Sequence, residues 1–229
     1  MPAATSWPPL WEMQSLTDLI DPPVSSTSGD SVDAHDPSHG SSHVTSTGIS
    51  NEKLAMWLFL GSECLLFGGL ISTFLLYRNR TAGGPVPHDL FDIGFTSISS
   101  FVLLMSSLTM VLAVSAIKRG DHRSLRAWLA VTATLGGVFI SGQVYEFSIF
   151  LKEGMGFTTS PASSAFYTLT SFHGAHVAIG LVMLVSTLVL SLRGRITQEK
   201  SEVVEIVGLY WHFVDVVWIL VFTIVYLIK

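Results

Sequence analysis

The sequence predicts an all-α, polytopic membrane protein with five transmembrane helices. Only 13% of its 229 residues are charged and its mean hydropathy is +0.53, whereas a soluble domain carries about a quarter charged residues. Five apolar runs are each long enough to cross roughly 30 Å of hydrocarbon. Because backbone groups in lipid must pair within their own segment, runs of this length are expected to be helices. The predicted bounds are 54–77, 95–117, 127–151, 165–192 and 207–228.

Residues 1–53 differ in composition from the rest, being rich in Ser, Thr, Pro, Asp and His. Such a segment buries too little apolar surface to offset its ordering entropy, so a disordered polar tail is predicted, followed by a helical bundle over 54–229. It lacks the basic and apolar regions of a secretory signal. His35, His39 and His43 recur every four residues, and we favour a solvated tail over a weak metal site because nothing there would hold a helix.

The distribution of Lys and Arg predicts the orientation in the membrane, because cytoplasmic loops carry more of them. The side with the N-terminus holds eight of these residues and the other side four. The N-terminus is therefore predicted to be cytoplasmic and the C-terminus outside. The chain has no basic patch for nucleic acid, and its single cysteine, Cys64, excludes disulfides and cysteine metal clusters within the chain.

Several polar residues lie inside the apolar runs, where ionisable groups are expensive and usually face the interior of a bundle. Helical rise places them in two layers. The layer in the cytoplasmic half holds Glu63, His212 and Asp215. The layer nearer the outside holds Gln143, Glu146 and His173, and His176 lies on the same helix face as His173.

Each polar residue has a structural and a functional interpretation. Glu63 fits a structural or lipid-contacting carboxyl group, or one that handles protons. His173 and His176 fit helix packing better than ligation, because a metal site needs three or four converging donors and a haem needs paired axial ligands. His212 and Asp215, three residues apart, are interpreted as a local pair that fixes the fifth helix, in preference to a proton relay. No catalytic residue and no metal site is predicted.

Small residues and aromatic residues also occur at positions that are typical of membrane helices. Gly136 and Gly137 are candidates for close helix approach. Trp57 and Trp211 lie near predicted helix ends, where aromatic rings favour the membrane interface.

Four segments resemble subunit III of the haem-copper terminal oxidases. They are WLFLGSECLLFGGL (57–70), GGVFISGQVYEF (136–147), FYTLTSFHGAHVAIG (166–180) and YWHFVDVVWILVFTIVYL (210–227). They occur in the family's order, on successive helices, and the resemblance covers residues 52–228. The chain is similar to the five-helix form found in bacterial cytochrome c oxidases and quinol oxidases.

The resemblance implies an accessory subunit without cofactors of its own. Haems and copper are expected in partner subunits, and this chain is expected to contact subunit I, to bind phospholipid and to sustain proton uptake. Subunit II, small subunits and a larger respiratory supercomplex are further expected partners, in the bacterial plasma membrane. Family members form a lipid-filled cleft between two groups of helices. The residues assigned to that cleft or its packing are Glu63, Trp57, His173, His176, Trp211 and His212.

Two other functions fit a five-helix membrane protein. One is a related accessory protein of a nitric oxide reductase system. The other is a stand-alone transporter or proton channel that uses Glu63 and Asp215. A transporter of this kind is expected to show broken helices or an inverted repeat, and the sequence contains neither.

Overall fold

The computed structural model describes residues 50–80 and 93–227, which form five long helices. Each helix is long and apolar enough to cross a membrane, so the prediction of an all-α protein with five membrane-spanning helices is confirmed. The N-terminal tail up to residue 49, including His35, His39 and His43, lies outside the described residues. The helices are α1 (Asn51–Tyr77), α2 (Ile93–Lys118), α3 (His122–Lys152), α4 (Pro161–Leu192) and α5 (Ser201–Phe222), with a 3₁₀ turn (Gln198–Lys200) before α5 and a π-helical turn (Thr223–Leu227) after it.

The helices begin earlier than the apolar runs that predicted them. Helix α3 begins at His122 instead of residue 127, and α5 at Ser201 instead of residue 207. Helix α1 begins at Asn51 and is capped by the Ser50 side chain, so residues 51–53 are helical instead of part of the tail. The first turns of these helices contain polar residues. These turns are helical, but they are not part of the apolar runs from which the helices were predicted.

Three helices end in the same hydrogen-bonded motif, in which a glycine adopts a left-handed conformation. The glycines are Gly120, Gly154 and Gly194, with φ of 75°, 85° and 70°. After α2, the Gly120 amide donates to the Ile117 carbonyl and the Asp121 amide to the Ala116 carbonyl, both at 3.0 Å. This Schellman pattern satisfies carbonyls that the helix end would leave unpaired.

Helix α5 lies at the centre of the bundle and packs against α1, α2 and α4, while α3 packs against α2 and α4. Helix α1 packs mainly on α4 and α5 and is the most peripheral helix. Its buried residues are Leu60, Phe67 and Phe74, which recur every seven positions. Helix α1 is therefore attached along one narrow stripe, and the remaining face points toward lipid or a partner.

Candidate functional site

Glu63 and His176 form a close carboxyl–imidazole contact between α1 and α4. The Glu63 Oε2 and His176 Nε2 atoms are 3.1 Å apart, and the two side chains are only 14% and 13% exposed. Glu63 lies about 18 Å along α1, a helix of roughly 40 Å, because each residue adds 1.5 Å. The pair therefore lies near the middle of the membrane.

The hydrogen bonds of His176 determine where its protons lie. Its Nδ1 atom is 2.7 Å from the Phe172 carbonyl oxygen, which only accepts, so Nδ1 carries a hydrogen. The other nitrogen, Nε2, faces the Glu63 carboxyl oxygen. A hydrogen bond between these two atoms requires one proton, on either the imidazole or the carboxyl group. The geometry therefore suits a hydrogen bond between the imidazole of His176 and the carboxyl group of Glu63.

This partnership differs from the predicted layers. The sequence grouped Glu63 with His212 and Asp215, whereas the structure joins it to His176, because α1 packs on α4 at this depth.

His173, one turn away on α4, is enclosed by aromatic rings. It is fully buried, and its ring stacks on Trp218 with the centroids 4.9 Å apart. The Phe139 ring meets it edge-on at 6.2 Å. Neither ring nitrogen has a hydrogen-bond partner among the described residues. The contacts of His173 are those of a packing residue.

His212 and Asp215 do not form the predicted local pair. The His212 Nδ1 atom is instead 2.7 Å from the Ser107 hydroxyl of α2. The same hydroxyl hydrogen-bonds to the Asp215 carboxylate, whose Oδ1 atom has no partner among the described residues. The prediction was wrong because the serine that links both side chains comes from a neighbouring helix, which spacing along α5 does not show.

Glu146 lies in a separate buried site where α2 and α3 meet. The Thr96 hydroxyl donates to its Oε1 atom at 2.8 Å, and Tyr226 of the π-helical turn is a further neighbour. Gln143, one turn earlier, is also buried, and its side-chain carbonyl oxygen has no partner among the described residues. Glu146 thus joins α2, α3 and the π-helical turn that follows α5.

Trp211 is the central packing residue of the bundle, where an interfacial position was predicted. It is 1% exposed, and its indole N–H donates to the Ser106 hydroxyl at 3.0 Å. Its ring lies against two glycines, Gly136 of α3 and Gly180 of α4. At both glycines an added Cβ atom would lie 3.0 Å or less from the ring. One side chain of α5 thereby contacts three other helices.

A groove of about 530 Å³ lies between α1, α2 and α5, and Trp57 forms part of its wall. At one end, Glu205 accepts from Lys53 at 2.5 Å and from Lys118 at 2.9 Å. This three-helix ion bridge was missed by the sequence analysis. The sequence does place both lysines on one predicted side of the membrane. Pairing them with Glu205 also requires the order of the helices in the bundle.

A transition-metal site requires three or four converging donor side chains. Within residues 50–80 and 93–227, no three His, Cys, Asp or Glu side chains converge as a metal site would require. The ionisable groups that do meet form pairs or bridges between helices, which suits proton holding and packing.

Comparison with known proteins gives a consistent result. A sequence model of the family described as "Cytochrome c oxidase subunit III" matches residues 34–229. The cytochrome c oxidase subunit 3 of Bacillus sp. (strain PS3) is 40% identical over 177 residues, which cover 77% of this chain and 86% of the relative. The quinol oxidase subunit 3 of Bacillus subtilis (strain 168) is 40% identical over 174 residues, covering 76% and 85%.

A third relative comes from a different bacterial group. The cytochrome bo(3) ubiquinol oxidase subunit 3 of Pseudomonas aeruginosa is 38% identical over 197 residues, which cover 86% of this chain and 93% of the relative. The chain is thus similar to subunits of oxidases named for cytochrome c and for quinol, and the resemblance found in the four sequence segments is confirmed.

Proposed function

Because the chain belongs to the cytochrome c oxidase subunit III family, we propose that it is the non-redox accessory subunit III of a haem-copper terminal oxidase. The assembly reduces oxygen to water with electrons from cytochrome c or quinol. Subunit I is the direct partner, and subunit II, small subunits and a respiratory supercomplex complete the set. Haems and copper belong to those partners, and the complex lies in the bacterial plasma membrane.

The Glu63–His176 pair is the observation that carries this proposal. Ionisable groups at membrane depth are expensive and mark proton or ligand pathways. Here the Glu63 Oε2 and His176 Nε2 atoms lie 3.1 Å apart, and α1, which carries Glu63, has only three buried residues. A largely buried carboxyl–imidazole pair where α1 meets α4 suits a subunit that supports proton uptake by a neighbour.

The charges at the helix ends support a cytoplasmic N-terminus. Lys53, Lys118 and Arg119 lie at the same end of the bundle as Ser50, the first described residue. Excess positive charge on one side favours the cytoplasm for that side. The opposite end is accordingly proposed to face outward.

The seam between α1 and α4 is also proposed to bind phospholipid. Beyond the Glu63–His176 pair, toward the C-terminal end of α1, it opens into a cavity of about 280 Å³ with mainly apolar walls. Leu70 and Tyr77 line one side, and Pro161 and Ala165 line the other. These side chains suit an acyl chain better than a polar ligand.

Affinity purification of the tagged full-length chain from native membranes tests the assignment. The expected result is copurification with a catalytic subunit that carries haem and copper, together with oxygen reduction that depends on cytochrome c or quinol. Copurification with a nitric oxide reductase, and never with a haem-copper oxidase, would refute it.

Substitution of Glu63 tests the role of the pair within the purified complex. Glu63→Ala is expected to leave assembly and haem spectra intact but to shorten sustained turnover, because His176 loses its proton partner. Glu63→Gln retains a hydrogen-bond donor toward His176 but lacks the carboxyl group. It therefore distinguishes the effect of the hydrogen bond from the effect of the charge. Glu52→Ala, which removes an exposed carboxylate from the same helix, is the control. Unchanged proton uptake and unchanged bound lipid in Glu63→Ala would remove the functional role of Glu63.

A further inference from the structure

Tyr210 of α5 contacts both of the helices that form the Glu63–His176 pair. Its hydroxyl group donates a hydrogen bond to the His176 backbone carbonyl of α4 at 3.1 Å. Its ring stacks on Phe59 of α1, with the ring centroids 6.3 Å apart and the planes inclined by 21°. Phe59 lies one turn before Glu63, and Tyr210 itself is only 3% exposed. One buried side chain of α5 therefore touches α1 and α4 beside the pair.

The hydroxyl group of Tyr210 binds a carbonyl oxygen that the helix uses only in part. The His176 carbonyl oxygen can accept two hydrogen bonds, and the α-helix supplies one of them from the N–H group of Gly180. The Tyr210 hydroxyl supplies the second. Gly180 has no Cβ atom, and a Cβ atom added there would lie 3.1 Å from the Tyr210 Cε1 atom. The glycine therefore lets the tyrosine ring lie close to α4, where its hydroxyl group reaches the residue that carries the imidazole.

Two aromatic residues of α1 flank Glu63, one turn away on either side. Phe59 precedes Glu63 by four residues and stacks on Tyr210. Phe67 follows it by four residues and meets the His176 ring edge-on, with the centroids 5.1 Å apart. Residues four apart lie on one face of a helix, so Glu63 lies between these two contacts. This enclosure leaves the Glu63 and His176 side chains only 14% and 13% exposed.

The distance between the carboxyl group and the imidazole depends on how α1 is held. Helix α1 has only three buried residues among its 27. The Glu63 Oε2 and His176 Nε2 atoms are 3.1 Å apart, and a hydrogen bond between such atoms is lost by about 3.6 Å. A shift of α1 against α4 by about half an ångström would therefore break it. The Tyr210 hydroxyl lies within electrostatic range of the Glu63 carboxyl group, at the point where such a shift would occur.

We propose that Tyr210 is a positioning residue for the Glu63–His176 pair. Its hydroxyl group fixes the backbone of α4 at His176, and its ring fixes α1 one turn from Glu63. The imidazole and the carboxyl group are thereby kept within hydrogen-bonding distance. The inference deepens the proposed function and rests on it, because it names the residue of α5 on which the pair depends.

Infrared spectroscopy of the purified oxidase tests the hydroxyl group. The Glu63 carboxyl band is the one that Glu63→Gln removes, and its position in His176→Leu defines the unpaired group. Tyr210→Phe keeps the ring and is expected to move the band toward the unpaired position. The ratio of paired to unpaired Glu63 should fall about fivefold, the equivalent of one hydrogen bond of about 1 kcal/mol. The control is Tyr145→Phe, which alters an exposed tyrosine of α3 and should leave the band in place.

A second pair of variants tests the ring of Tyr210. Phe59→Leu removes its stacking partner on α1 and is expected to move the Glu63 band in the same direction as Tyr210→Phe. Phe101→Leu removes an exposed ring from α2, a helix that forms neither side of the pair, and should leave the band unchanged. Equal bands in these two variants would contradict the role of the ring.

Sustained turnover of oxygen reduction tests whether Tyr210 acts through the pair. Tyr210→Phe alone is expected to shorten sustained turnover, as Glu63→Ala does. In a Glu63→Ala background, Tyr210→Phe should have no further effect, because the carboxyl group that it positions is absent. Equal effects of Tyr210→Phe with and without Glu63 would overturn the inference.

Unfolding in sodium dodecyl sulfate separates positioning from packing. If Tyr210→Phe lowers the unfolding midpoint but leaves the Glu63 band in place, Tyr210 only packs and the inference is overturned. Unchanged turnover in Glu63→Ala removes the functional role of Glu63, whereas a shifted band in Tyr210→Phe still supports the positioning. Absence of the chain from the oxidase refutes the proposed function itself.

Discussion

Gly136→Ala tests whether the ring of Trp211 holds α3 and α5 together. The added Cβ atom would lie 2.6 Å from the Trp211 Cη2 atom, 0.8 Å closer than the 3.4 Å at which ordinary contact begins. The ring has little room to retreat, because Gly180 lies against its Cε3–Cζ3 edge and its N–H donates to the Ser106 hydroxyl. Overpacking of this kind costs about 1–3 kcal/mol.

The adjacent glycine provides a matched control. Gly137 is on the same helix, and a Cβ atom added there meets nothing within 4 Å. Both substitutions gain up to about 1 kcal/mol from higher helix propensity. The difference between them therefore isolates the contact with Trp211, and it should correspond to about a 5- to 150-fold change in the unfolding equilibrium.

The assay is reversible unfolding of each variant by sodium dodecyl sulfate in mixed micelles, followed by near-ultraviolet circular dichroism. Gly136→Ala is expected to unfold at a lower detergent fraction than Gly137→Ala. In a Trp211→Phe background, which lacks the two indole atoms that clash, the difference should largely disappear. Equal midpoints for the two alanine variants would refute the proposed packing role of Trp211.

Three further predictions concern the ends and the core of the bundle. Ser106→Ala should destabilise the fold by about 1–3 kcal/mol in the same unfolding assay, because it leaves the Trp211 N–H buried without an acceptor. Hydrogen bonds from the Ser124 side chain and backbone amide lower the pKa of Asp121 below its ordinary value of 3.8. The Asp121 cap therefore contributes its full stabilisation of α3 above pH 3.8, and this stabilisation is lost as pH falls through the lowered pKa. Asp121→Ala should raise amide exchange at the start of α3 at neutral pH, but not at a pH well below the lowered pKa of Asp121. Glu205→Gln should weaken the attachment of α1, because the neutral amide loses the charge attraction to Lys53 and Lys118. The expected result is faster proteolysis near residue 50, and an unchanged cleavage rate would contradict it.

The helices were predictable from the sequence because each membrane-spanning segment must itself be long enough and apolar enough to cross the bilayer. Run length identified all five spans of the described residues, and the largest differences are at helix starts that contain charged residues, such as 122–126 and 201–206. Charge counting placed Lys53 and Lys118 on one side of the membrane, and the structure brings both to Glu205.

Contacts between side chains of different helices were harder to predict from the sequence, because they depend on the order of the helices in the bundle. Glu63 meets His176, 113 residues away, and no spacing rule within one helix predicts that contact. His212 and Asp215 had the correct spacing for a pair, but Ser107 from α2 takes both hydrogen bonds. Trp211 was expected at the interface, where isolated tryptophans are common, yet two glycines on other helices create the space that encloses it.

The attachment of α1 also affects the order in which the bundle is completed during synthesis. The first described helix to be made ends at Tyr77, but the helices it packs on, α4 and α5, end at Leu192 and Phe222. At roughly 5–20 residues per second, α4 is finished about 6–23 s after α1. Throughout that interval Glu63 is in the membrane without His176. Helix α1 therefore docks only after α4 has been made, whereas α2 and α3, which pair with each other locally, are able to fold before it.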